Sequence, residues 1–144
     1  MAFLRMFMIS AAIVLVMFLL NHLSSTFVRA NNELIRQFQA NNLQTNISAL
    51  ASIYKDDVAA NRTITQCRKL FSHAKSDLNT ATQDLKKGDY DASDKSVFNA
   101  LLYQNSCKTL FENSPKIKIT PHIFYGFNMF EKLSQIALSI IDRL

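Results

Sequence analysis

The side chains able to do chemistry are few and far apart. Cys67 and Cys107 are the only thiols among 144 residues, and His73 and His122 are the only histidines after the first 30. A zinc site needs three or four His, Cys or carboxylate ligands at tight spacing, as in H-E-x-x-H. Neither histidine has such neighbours, and both read as solvated helix residues. The two glycines, Gly88 and Gly126, stand alone, so no glycine-rich loop cradles a phosphate. Serine and threonine are plentiful, yet none lies in a G-x-S-x-G elbow. With the two cysteines joined, no thiol remains as a nucleophile. The sequence is therefore expected to be no enzyme and to take no cofactor or metal.

The cysteines point to a compartment as well as a bond. Arg5 is followed by an apolar run from Met6 to Leu20 that carries no charge, and the polar stretch after it ends Val28-Arg29-Ala30. That is the three-part layout of a secretory signal, with a cut expected after Ala30. The run falls short of the roughly 20 residues of a spanning helix; an uncleaved signal anchor is the alternative. Residues 1–30 are thus expected to be a signal peptide and 31–144 one domain, secreted into an oxidising space where a matched cysteine pair joins.

Composition says which elements hold the pair. Losing residues 1–30 removes Arg5 and Arg29 and no acid, which leaves 14 basic and 11 acidic residues. No basic run stands out beyond Lys86-Lys87, so a nucleic-acid surface is not indicated. Two glycines and two prolines are too few for a fold of many tight turns, and helices fit better. From Thr63 to Lys87, Cys67, Leu70, Phe71, Ala74, Leu78, Ala81 and Leu85 recur at steps of three and four. From Asp89 to Phe111, Tyr90, Val97, Ala100, Leu101, Cys107 and Phe111 do the same, with Gly88 as the stop between the two. Thr120-Pro121 opens a last helix, Thr as cap and Pro at its first position, with Phe127 and Phe130 on its apolar stripe. A weaker helical segment covers about 31–60 and is interrupted around Asn41-Asn42. The expected fold is all-α, an up-down-up-down four-helix bundle. In an antiparallel central hairpin, facing residues are equidistant from the turn, and Cys67 with Cys107 centres it at residue 87, beside Gly88. The disulfide would staple that hairpin about 30 Å from its tip.

Cys67 through Leu85, then Gly88-Asp89-Tyr90, then Ala100-Leu101, Cys107 and Phe111, resemble the central hairpin of plant invertase/pectin methylesterase inhibitors. The tail resembles them too, with Ser114-Pro115 in a loop and a closing helix ending Leu138-Ser139-Ile140-Ile141-Asp142-Arg143-Leu144. The resemblance covers 63–144 well and 31–62 loosely. It implies a secreted, apoplastic, cell-wall protein of a plant that docks over an enzyme's substrate cleft. Invertase inhibitors of this kind often carry Pro-Lys-Phe after the Gly-Asp; here Tyr90-Asp91-Ala92 follows, which tilts the expected partner to pectin methylesterase, with acid invertase the alternative. The family's usual N-terminal hairpin has its own disulfide, and since no cysteine precedes Cys67 that hairpin is expected to be missing or rebuilt here. A membrane-anchored or structural helical protein without inhibitory activity is the reading of another class.

A bundle commits its inner faces to packing, so a partner is expected to read an outer one. Asp91, Lys95, Asn99 and Tyr103 recur every four residues opposite the apolar stripe of the second hairpin helix, with Tyr103 as the expected exposed anchor. Phe124 and Tyr125 fall off the last helix's stripe and read as exposed. Asn46-Ile47-Ser48 and Asn61-Arg62-Thr63 fit the N-glycosylation acceptor, and Asn61, at an expected helix break, is the better candidate.

Overall fold

The longest amphipathic stretch folds as two helices because Gly88 adopts a left-handed conformation, φ 77°, that costs little only without a Cβ. The computed structural model describes residues 2–144, and the side chains of 14–35 and 39–144. Its order is α1 (Ala2–Leu34), a π-helical turn (Ile35–Ala40), α2 (Asn41–Ile53), α3 (Val58–Lys87), α4 (Tyr90–Glu112) and α5 (Pro121–Ile141). The protein is all-α, with five α-helices where four were expected and no strand among the described residues.

Helices α3 and α4 form the expected hairpin. The Gly88 amide donates to the Leu85 carbonyl at 3.3 Å and the Asp89 amide to that of Asp84 at 3.0 Å, which closes α3. The Asp89 carboxylate accepts from the Ala92 amide at 3.1 Å and opens α4. Toward the other end, Cys67 and Cys107 are joined in a disulfide, both fully buried, with Cα atoms 4.8 Å apart. Helix α5 starts as the sequence predicts: Thr120 Oγ1 accepts from the Ile123 amide and Pro121 takes the first helical position. It lays Phe127 and Phe130 on the hairpin, where Phe71 meets the first at 6.1 Å between ring centres and the second edge-on at 6.0 Å. Phe111 closes the group, 6.2 Å from Phe127. All four rings are buried, and they form the centre of the core.

The interrupted helical segment expected over about 31–60 is joined by a π-helical turn. Ile35 and Leu43 are both buried, at 0% and 1% exposure, yet they are eight residues apart. In an unbroken α-helix eight residues turn about 80° past two full turns, which would swing Leu43 off the face of Ile35. A π-helical turn closes its hydrogen bond one residue further along, so it takes up one residue without advancing the face. Ile35 then leads to Leu43, Ile47 and Leu50 on one stripe, following Val28 in α1. The break foreseen at Asn41-Asn42 is thus this turn, ending one residue earlier at Ala40. Helix α3 also begins at Val58, five residues before the expected Thr63, because the Asp57 carboxylate accepts from the Ala60 amide at 3.0 Å and caps it.

Helix α1 runs through Ala30 without interruption. Val28 is buried in the core, and Asn31 Nδ2 donates to the Leu133 carbonyl of α5 at 2.9 Å. Among the described residues no helix is long and apolar enough to cross a membrane.

Candidate docking surface

The hairpin tip is capped on both sides and charged. Lys87 bonds the carboxylate of Asp84 at 3.3 Å, and Lys86 and Lys87 sit in the last turn of α3, where cations suit the helix dipole. Asp89 serves as cap and Asp91 lies in the first turn of α4, the favourable end for a negative charge. Asp94 lies one turn on. Burial raises its carboxyl above the usual value, and Asp142 of α5 and then Asp91 push it the same way. Asp77 of α3 is likewise raised by burial, with His73 pulling against that shift.

The four candidate contacts do not share one exposed line. Asp91 and Lys95 are exposed, whereas Asn99 and Tyr103 are half-buried. A spacing of four advances about 40° beyond a full turn, so three such steps wind the row about 120° around α4. Tyr103 consequently reaches the seam with α3, where its ring lies 5.4 Å from that of His73 and packs against the core. The expectation of an exposed tyrosine anchor is corrected on this point. Sequence reading passed over Phe98 and Leu102, which are 48% and 47% exposed on α4. Their signal was two large apolar residues, four apart, off the buried stripe.

The 113–120 loop is pinned rather than free. The Lys118 amide donates to Tyr54 Oη at 2.8 Å, the Thr63 and Ser114 hydroxyls meet at 3.2 Å, and Ile117 is buried. Asn46 is exposed on α2, but Asn61 lies half-buried in the first turn of α3 rather than at a helix break. His73 and His122 are exposed on different helices, and no described group of three or more His, Cys, Asp or Glu is placed to hold a metal ion. Phe124 and Tyr125 are exposed as expected.

A stapled α3–α4 hairpin with a capped Gly-Asp tip, closed by α5, is the arrangement that the resemblance implied. Residues 20–140 match the family described as plant invertase/pectin methylesterase inhibitor. The chain belongs to that family. Solved relatives share the fold of this invertase/pectin methylesterase inhibitor chain. A crystal structure of a pectin methylesterase inhibitor from Arabidopsis thaliana superposes with a TM-score of 0.73 at 17% identity, over 84% of this chain and 78% of that one. A mutant form A of a pectin methylesterase inhibitor from Arabidopsis gives 0.66 at 19% identity, over 88% and 85%. No curated protein matches the sequence. At such identities the likeness to solved structures is one of fold, and family membership rests on the match over 20–140.

Proposed function

We propose that this protein inhibits pectin methylesterase by laying its helical bundle across the enzyme's substrate cleft. Membership of the inhibitor family over residues 20–140 carries the reading. Support for this target comes from the two solved relatives, each a pectin methylesterase inhibitor. The tip adds to it, since Tyr90-Asp91-Ala92 stands where the resemblance associates Pro-Lys-Phe with invertase inhibition.

In this reading α2 to α5 form the working bundle and run alternately up and down. The tight tip between α3 and α4, the meeting of Phe111 with Phe127, and that of Leu43 with Gly126 support this order. Residues 1–30 lead the chain into the secretory route and the cell wall, where the disulfide is at home. Asn46, and less readily Asn61, accepts glycan there. Asp91 and Lys95, with Asn99 behind them, flank the contact, and Tyr103 supports it from the seam with α3.

Titrating the purified secreted protein against a pectin methylesterase and an acid invertase tests this directly. The expected result is loss of the first activity and no effect on the second. Loss of neither would leave a helical protein without inhibitory activity.

A further inference from the structure

A line of exposed side chains on α4 has properties that the row of every fourth residue lacks. Steps of four, three and four keep Asp91, Lys95, Phe98 and Leu102 within about 60° of one another around the helix. All four are exposed, and the two apolar members are about half exposed at 48% and 47%. The helix shows no packing reason for a phenylalanine and a leucine there, because its buried stripe of Val97, Ala100, Leu101, Gln104 and Cys107 already meets the core. The result is a straight ridge with an apolar crest and charged residues at its tip-proximal end. An apolar centre with a charged margin is the anatomy of a binding patch.

We propose that this ridge is the part of the protein that enters the target's cleft, with Phe98 and Leu102 as its anchors; the proposal rests on the inhibitor reading above. Shape decides the occupant. The crest is convex, and two half-exposed side chains fall far short of the roughly 800 Å² per partner of a stable interface. Ridge to ridge with a second copy, two such side chains from each partner supply little of that area. Only a concave partner encloses both flanks. The chain's own α1 is occupied elsewhere, packed on α3 and α5. A cleft that holds a polymer chain is concave and can take both flanks of such a ridge. The Phe98 ring presents a flat apolar face to it.

The test uses the secreted protein with Phe98→Ser, Leu102→Ser and both together, titrated against a pectin methylesterase, with Val58→Ser as an exposed apolar control on α3. The double variant is expected to inhibit roughly 10- to 100-fold more weakly, with an unchanged melting temperature and a control like the parent. Undiminished inhibition by the double variant overturns the ridge and leaves the inhibitor reading standing. A parent protein that inhibits acid invertase alone, or neither enzyme, overturns both. Sedimentation supplies the remaining arm: a dimer of the parent that the double variant abolishes makes the ridge a self-contact and overturns the proposal.

Discussion

Gly126 of α5 lies directly over Leu43 of α2: a Cβ built on the glycine falls 2.5 Å from Leu43 Cδ2 and 2.9 Å from its Cγ. Both residues are buried, so neither can give way into solvent. The missing side chain is what lets α2 and α5 approach.

Gly126→Ala therefore sets two effects against each other. Helix propensity favours alanine by about 1 kcal/mol. Overpacking a filled core costs about 1–3 kcal/mol, and the Leu43 contact is close enough to place this site at the upper end. A net loss of about 1–2 kcal/mol is expected in denaturant unfolding. In the Leu43→Ala background the sign should reverse, because the new methyl enters the space the leucine vacates. A stabilising Gly126→Ala in the parent would show that the two helices are not in close contact.

Replacing both Cys67 and Cys107 by alanine opens a loop of 40 residues in the unfolded chain. The chain-entropy model gives about 3–4 kcal/mol for that loop, a large share of the stability of one small domain. A sharp drop in melting temperature is expected, matched by the parent under reducing denaturation, and non-reducing mass spectrometry should recover the two peptides joined.

Asp94 should make neutral pH costly. Burial first, then Asp142 and Asp91, raise its carboxyl above 3.8, so the folded protein holds this proton more readily than the unfolded chain. Its charge then costs stability once pH has risen through the folded value, and the cost fades as pH falls back toward 3.8 and below. Asp94→Asn is expected to raise the melting temperature at about pH 7 and to make no difference at about pH 3, where both forms are neutral. An equal gain at both values would point to packing rather than charge.

Tyr103→Ala should act on folding. The ring lies tilted against that of His73 and rests on the core, and an aromatic pair of this sort contributes about 0.5–1.5 kcal/mol beyond its buried area. Loss of about 1–2 kcal/mol of stability is expected, with inhibition by the folded fraction nearly unchanged. Weakened inhibition at an unaltered melting temperature would restore Tyr103 as a contact.

The hairpin and α5 were legible in the sequence because local signals agreed with one another there. Gly88 broke one apolar stripe from the next, the two cysteines were equidistant from it, and Thr120-Pro121 announced the last helix. The first third was not legible, for a geometric reason. Reading a stripe by steps of three and four assumes 3.6 residues per turn throughout, and the turn at Ile35–Ala40 breaks that assumption. Asp57 was readable as a cap and was passed over, which cost five residues of α3. The same geometry misled the reading of the surface. A spacing of four looks straight in the sequence and winds on the helix, so the row ending at Tyr103 left the exposed face while Phe98 and Leu102 stayed on it.

The π-helical turn also governs where this chain tolerates insertion and deletion. Losing one residue between Ile35 and Ala40 leaves Ile35 and Leu43 seven residues apart, which an ordinary α-helix spans in about two turns. The faces of α1 and α2 stay aligned, and the protein shortens without repacking. The same deletion within α3 would rotate everything beyond it by about 100° and turn its buried stripe toward water. Length variation among related chains should therefore gather at this joint and spare the stapled hairpin.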